Sequence, residues 1–310
     1  MKVIDRQMKV LDRQVKVLIA DDDPLSLLYL QDTLQDWGYD VETVTDGTSA
    51  CERLQQPDAP MLAIIDWMMP GMDGIDVCRL IRGCVKDRYI YLIMLTSRSE
   101  TEFVVEAMNA GADDFIGKPF NVEELQVRIR AGRRISELEQ QLRLKASHDA
   151  LTGIYNRGAV IDILEKEMVR HGRDRQPVAM IFADLDHFKR TNDVHGHLAG
   201  DAVLREVARR VGAVLRPYDS LGRYGGEELL IVLPACDAAG ALEVAERVRA
   251  AVAAQPVATE FGAIPSSLSI GVAVAGEGKG LSCTGLIQLA DNALYRAKAG
   301  GRNRIELARE

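Results

Sequence analysis

What this sequence lacks narrows it first. No stretch approaches the ~18 consecutive apolar residues that a membrane-spanning helix needs, so the chain reads as soluble, with no membrane partner. Its opening, MKVIDRQMKVLDRQVKVL, is basic but has neither an unbroken apolar stretch nor a small-residue cleavage site. It is not read as a signal peptide, and a cytoplasmic location is the expectation. A basic excess is also missing: the formal net charge is −8, which argues against broad binding to nucleic acid or anionic lipid and leaves room only for a local cationic pocket. The five cysteines (Cys51, Cys78, Cys84, Cys236, Cys283) are odd in number, widely spaced and without CxxC or Cys/His patterning. They point to buried thiols rather than a disulfide framework or a metal site.

What is present is a chain of 310 residues, 47% hydrophobic and 27% charged, with room for about two globular domains. MKVIDRQ, MKVLDRQ and VKVLIAD are near-copies of one heptad, and the third copy turns into a strand. Residues 1–14 therefore read as an N-terminal repeat extension, a duplicated start of little function, with a short amphipathic helix making an extra dimer contact as the alternative.

From 15 to 131, strand-length runs at 15–20, 39–44, 61–65, 90–95 and 114–116 alternate with amphipathic stretches such as 25–34 and 100–109. Five such units make a doubly wound parallel sheet, whose ligands gather at the carboxyl ends of the strands. Residues 121–147 read as one long helix, in which Ala131, Ile135, Leu138 and Leu142 follow the 4-3-4 spacing of a coiled-coil seam. With no Gly or Pro from 133 to 147, the segment 132–147 reads as a stiff helical linker, against the alternative of a solvated helix packed on its own domain. From 148 to 310 strands are expected at 179–183, 229–233 and 268–274, and helices around 199–214, 238–254 and 285–299. The looser alternation reads as an α+β domain.

In the first half, strand ends carry Asp21-Asp22-Asp23-Pro24, Asp66-Trp67-Met68-Met69-Pro70-Gly71, Thr96-Ser97 and Lys118-Pro119. If the strands are neighbours, Asp21, Asp22 and Asp66 share one pocket. Clustered carboxylates repel, and a hard divalent ion such as Mg²⁺ relieves them through oxygen ligands. A hydroxyl and an ammonium in the same cleft suit the extra oxygens of a phosphoryl group. Any one acid at a loop is usually a solvated face; the set of five at strand ends is specific. Over 15–131 the sequence resembles the receiver domain of bacterial response regulators. That resemblance implies Asp66 as phosphoacceptor and Mg²⁺ held by Asp21, Asp22, Asp66 and the Met68 carbonyl. It further implies Thr96 and Lys118 as phosphoryl-binding groups, Phe115 as the aromatic switch and a cognate histidine kinase as partner.

In the second half the run 179–183 ends in Asp184-Leu185-Asp186-His187-Phe188-Lys189, and RPYDSLGRYGGEEL sets Gly225-Gly226 before Glu227-Glu228 and an apolar strand. If that strand lies beside 179–183, Asp184 and Glu227 face one another. Two metals bridged by carboxylates and triphosphate oxygens would then make chemical sense, with the glycines leaving room for a nucleotide. Seven pieces in order resemble the GGDEF domain of diguanylate cyclases: Asp149 to Arg157, Asp184 to Lys189, Asn192 to His197, Gly200-Asp201, Arg223 to Glu228, Ser269 to Gly271, and Ala293 to Asn303. The expected whole is a (βα)5 doubly wound receiver domain joined by a helical linker to an α+β GGDEF domain resembling the palm of nucleotidyl cyclases.

By that resemblance Asp184, Glu227 and Glu228 are catalytic, and Asp184, Glu227 and the Leu185 carbonyl hold metal, two Mg²⁺ per GTP site with Mn²⁺ as an alternative. Phe188, Lys189, Asn192, Asp201, Lys298 and Arg302 bind substrate: Asn192 and Asp201 at the guanine edge, Lys189, Lys298 and Arg302 at the terminal phosphates. The acceptors of Asp201 suit the N1–H and N2–H₂ donors that guanine has and adenine lacks. Arg216 and Asp219, with Arg247, match the inhibitory product site, whose bland counterpart is a surface ion pair. Leu229 and Gly158 depart from the family's Phe and second Arg. The expected function is phosphorylation-regulated condensation of two GTP into cyclic di-GMP and two pyrophosphates by a homodimer with product inhibition. A non-catalytic cyclic di-GMP effector and a structural or DNA-binding response regulator are the rivals.

Overall fold

The computed structural model describes residues 15–86, 88–97, 101–276 and 281–308. The heptad copies of 1–14 lie outside the described residues. The chain forms two compact units that part between Arg143 and Leu144.

In the first unit, strands Lys16–Ala20 (β1), Asp40–Val44 (β2), Leu62–Asp66 (β3), Tyr91–Thr96 (β4) and Asp114–Gly117 (β5) form one parallel sheet in the order β2-β1-β3-β4-β5. β3 and β4 are buried at every residue, because helices cover both faces of a parallel sheet. The edge strand β2, DVETV, has no fully buried residue. Helices Pro24–Asp36 (α1), Gly47–Gln55 (α2) and Gly74–Cys84 (α3) start where Asp23, Asp46 and Asp73 accept backbone N–H groups of the first turn. Thr101–Ala110 (α4) follows β4. Of the three consecutive aspartates after β1, the third is thus spent on a helix cap, while the first two remain at the sheet edge.

One helix, Val122–Ser147 (α5), runs on from this sheet. It buries Leu125, Ile129, Gly132 and Ser136, and the Ser136 hydroxyl donates to the Met61 carbonyl at 3.2 Å. This buried row lies one residue round from the row expected as a seam: Ala131, Ile135, Leu138 and Leu142 are exposed, the last at 61%. Both rows have 4-3-4 spacing, so spacing alone does not say which one packs.

The second unit holds a mixed sheet in the order β12-β11-β6-β8-β7. Its strands are Val178–Leu185 (β6), Ser220–Gly225 (β7), Glu228–Leu233 (β8), Leu268–Ala275 (β11) and Ile305–Leu307 (β12), with a small hairpin of Val257–Thr259 (β9) and Gly262–Ile264 (β10). β6 is central and antiparallel to both β8 and β11. All its eight residues are buried. Ile181 and Ala183 face the cluster that includes helices His197–Val214 (α8) and Ala238–Ala253 (α9). Met180 and Phe182 face the cluster of Arg157–Asp174 (α6) and Cys283–Ala299 (α10). Each buried Leu, Ile or Val side chain contributes about 1.5–3 kcal/mol, which makes β6 the rigid rail on which Asp184 is presented. Phe188–His195 (α7) follows it directly.

Candidate functional site

The first unit gathers its acids by topology. Parallel strands end on one edge, so Asp21, Asp22 and Asp66 bring one ligand oxygen each within 4.8 Å of one another. Asp21 is fully buried and Asp66 nearly so, at 6% exposure. Lys118 forms ion pairs with both, at 2.7 Å to Asp21 and closer still to Asp66. The Ser26 hydroxyl and the Asp23 N–H also donate to Asp21, and the Met68 N–H donates to Asp66 at 3.1 Å. Burial lifts the Asp66 pKa above the ordinary carboxylate range despite Lys118, with Asp21 adding to the rise. Burial opposes the Lys118 ammonium, yet hydrogen bonds to Asp21 and Asp66 outweigh it and raise its pKa. Three hard oxygen donors whose mutual repulsion one lysine only partly relieves fit a divalent cation. Thr96 is buried at the end of β4, and Phe115 is half-buried on β5 with the Arg128 guanidinium 5.7 Å from its ring centroid.

The second unit builds its site from an antiparallel ladder. Asp184, 8% exposed at the end of β6, lies across from Glu228 on one side and Ser269 on the other. The reading that set Asp184 against Glu227 is thus one residue out. The tight connection Gly226-Glu227 holds Glu227 in the turn, where its carbonyl accepts the Leu185 N–H at 3.3 Å, and Glu228 is the first residue to join the ladder. Gly226 has φ +29, a left-handed value that favours glycine, and nothing lies within 4 Å of where its Cβ would be. Lys298 pairs with Asp184 at 2.8 Å. Burial nevertheless lifts the Asp184 pKa, helped by the charges of Glu227 and Asp186. Burial, then Asp184, raises that of Glu228.

Beside these acids, Phe188 is buried at the start of α7 and Asn192 lies one turn on. The buried Asn192 Oδ1 has no hydrogen-bond partner among the described residues, and a Cβ on Gly200 would come within 1.8 Å of it. Glycine at 200 keeps this amide in place next to Asp201 of α8. Lys189 and Arg302 are exposed, with no ion pair of either among the described residues. Arg216 and Asp219 do not form the surface ion pair of the bland reading. The Asp219 carboxylate accepts the Arg216 backbone N–H at 2.9 Å, and the Arg216 guanidinium turns to Tyr218. Asp219 is half-buried, which raises its pKa. Arg247 of α9 reaches the Val214 carbonyl at 3.4 Å, alongside the same turn.

Two residues without an expected role support the turn from behind. Arg223 donates to both carboxylate oxygens of Asp149 at 3.1 Å and to the Gly226 carbonyl at 2.8 Å. Asp149 also accepts from the Thr152 N–H and hydroxyl. Both lie inside quoted motif pieces, but only the tertiary contact reveals the pairing. Leu229, at 1% exposure, packs under the turn in the core shared with α8 and α9, so its exchange for the family's Phe is a matter of packing volume. Gly158 is exposed at the start of α6, and a Cβ there meets only ordinary contact with Asn156.

Comparison with known proteins adds an independent line. The family model described as diguanylate cyclase, GGDEF domain, matches residues 146–304, and that of the response regulator receiver domain matches 17–130. Response regulator PleD of Caulobacter vibrioides is 32% identical over 254 residues, covering 79% of this chain and 56% of PleD. Diguanylate cyclase DgcP of Pseudomonas aeruginosa is 42% identical over 173 residues, covering 56% of this chain and 25% of DgcP. The chain thus spans about half or less of these curated relatives. The coiled coil and GGDEF domain of DgcB from Caulobacter crescentus, determined in complex with c-di-GMP, matches with a TM-score of 0.55 and 31% identity, covering 60% of this chain and 98% of that one.

Proposed function

Since this chain belongs to the diguanylate cyclase GGDEF family and carries a response regulator receiver domain ahead of it, we propose that it condenses two GTP into cyclic di-GMP and two pyrophosphates, as a homodimer controlled by phosphorylation of Asp66. The observation that carries this reading is the ladder that sets buried Asp184 against Glu228 at an open glycine turn, with Lys298 alongside. In the reaction each GTP's 3′-hydroxyl attacks the α-phosphorus of the other, forming the new phosphodiester as the bond to pyrophosphate breaks. One such site holds one GTP, so two copies facing each other convert a chance encounter into an oriented one.

Asp184, Glu227 and the Leu185 carbonyl would hold two Mg²⁺, with Glu228 as further metal ligand or catalytic carboxylate; bound metal supplies neutralisation of the triphosphate and of the developing charge. In the absence of metal, Lys298 balances Asp184; with GTP bound it turns to the terminal phosphates beside Lys189 and Arg302. Asn192 and Asp201 read the guanine edge, and Phe188 backs it. In the receiver, residues 15–131, Asp21, Asp22, Asp66 and the Met68 carbonyl would hold one Mg²⁺. Thr96 and Lys118 receive the phosphoryl oxygens, Phe115 reports them, and a histidine kinase is the donor. The helical segment 132–147 transmits the change by aligning two catalytic domains, residues 148–310. Arg216, Asp219 and Arg247 form the product-inhibition site, supported by a guanidinium that no carboxylate among the described residues occupies.

Incubation with GTP and Mg²⁺, with and without beryllofluoride, tests this. Cyclic product, increased by beryllofluoride, is expected. No product under either condition from folded protein that binds GTP would favour an effector that only senses cyclic di-GMP. No helix among the described residues is long and apolar enough to cross a membrane.

A further inference from the structure

Asp186 stands two residues beyond Asp184, and its carboxylate is taken up by hydrogen bonds to β11 and to the turn after α10. Oδ1 accepts the Ser269 hydroxyl at 2.6 Å. Oδ2 accepts the Ser267 hydroxyl at 2.6 Å and the Asn303 backbone N–H at 3.0 Å. The Asp186 N–H in turn donates to the Ser267 carbonyl at 3.0 Å. One side chain therefore ties together the end of β6, the entry to β11 and the turn after α10. Ser269 is fully buried, so this anchor does not move with the surface.

The turn it holds is conformationally demanding. Gly301, Arg302 and Asn303 have φ of 110°, 64° and 44°, three consecutive positive values of which only the first is a glycine. L-residues adopt this region rarely, and a run of it persists only where the surroundings over-determine it. Here the Arg302 N–H donates to the Ala297 carbonyl at 3.1 Å, Asp186 takes the Asn303 N–H, and Arg249 of α9 donates to the Asn303 side-chain oxygen at 2.9 Å. The Arg302 side chain stands out from this clamp into solvent, making no ion pair or hydrogen bond among the described residues.

We propose that Asp186 is a positioning residue for Arg302: it imposes the left-handed turn that aims the guanidinium at the triphosphate, in a frame shared with the metal-binding end of β6. The inference rests on the GTP reading of this site and adds to it a residue that touches neither metal nor substrate. A fixed Arg302 loses less freedom when it grips phosphate, so the clamp acts on affinity for the β- and γ-phosphates and leaves recognition of guanine alone.

The probe is 3′-deoxy-GTP with Mg²⁺, which lacks the attacking hydroxyl, titrated into the full chain by calorimetry. Asp186→Asn keeps the shape but presents an amide N–H₂ to donors, and is expected to weaken binding about tenfold, the scale typical of outer-shell partners. Arg302→Ala should weaken it by at least as much. The double variant should be no weaker than Arg302→Ala, because both changes act through one guanidinium. Affinity for guanosine monophosphate should be unmoved by Asp186→Asn. Thermal unfolding checks that the variants fold; if Asp186→Asn does not, Ser267→Ala with Ser269→Ala loosens the same carboxylate and should show the same loss, again absent once Arg302 is gone. Wild-type affinity in these variants, or losses that multiply with Arg302→Ala, overturns the proposal. Wild-type protein that binds no 3′-deoxy-GTP overturns the GTP reading, and the proposal with it.

Discussion

The two acidic sites solve one electrostatic problem in two ways. In the receiver, parallel strands end on a common edge, so carboxylates from β1 and β3 converge and a single lysine from beyond β5 reaches both. In the GGDEF unit the strands at the site are antiparallel, the acids come from a ladder rung and a turn, and the lysine pairs with Asp184. Glu228 is left with a pKa raised by burial and then by Asp184, which the charge of Lys298 only partly offsets. Each site sets three carboxylates against one lysine; the receiver shares its ammonium between two of them, the GGDEF site commits it to one, and both are left with negative charge for a cation to neutralise.

The sharpest way to break this comparison is Asp184→Asn. Cyclic di-GMP formation, followed by chromatography, should fall by roughly a thousandfold, the scale of removing a group that stabilises developing charge. Retained turnover would mean the ladder is not the metal-binding edge. Next in size, Asp66→Asn should bring the ratio of beryllofluoride-stimulated to unstimulated rate down to one, whereas the wild-type ratio is expected to reach about ten, a typical coupling of 1–3 kcal/mol.

A third experiment sets the two sites against pH. Burial raises the pKa of Asp66, Asp184 and Glu228, so at these three groups the metal-free fold binds more protons than the unfolded chain does. The stability these groups supply is full at acid pH, below the ordinary carboxylate values, and is lost as pH rises through the raised ones. Mg²⁺ should therefore raise the melting temperature more near neutrality than in mild acid, and chelation should erase the difference. An equal shift at both would deny that repulsion among these acids is what metal relieves. The smallest effect belongs to Leu229→Phe. Added volume at this 1%-exposed position should destabilise by about 1–3 kcal/mol in denaturant unfolding, unless neighbours in the core give way.

Much of the receiver was legible in the sequence because a parallel sheet buried on both faces turns each central strand into an unbroken apolar run, with its acid as a visible full stop. The second unit was harder to read. β7, SLGRYG, carries two glycines and an irregularity between Arg223 and Gly225, so it has no strand-like pattern. That local geometry decides whether Glu227 or Glu228 meets Asp184, and spacing does not contain it. The pairings of Lys298 with Asp184, Arg223 with Asp149 and Asn303 with Asp186 join distant segments, and only the folded sheet brings them together. Helix α5 carries two rows of identical spacing: contact with the sheet selects the inner one, and the row read as a seam stays exposed, as it would for a partner helix.

Those two rows make α5 a keyed shaft. With Leu125, Ile129, Gly132 and Ser136 seated on the sheet, the helix cannot spin in its socket, and the outer row of Ile135, Leu138 and Leu142 points along one compass bearing. A single residue inserted after Ser136 would swing everything downstream through about 100° and advance it ~1.5 Å, whereas seven would bring the bearing back almost to its start. Length in this segment is therefore an angular setting as much as a distance.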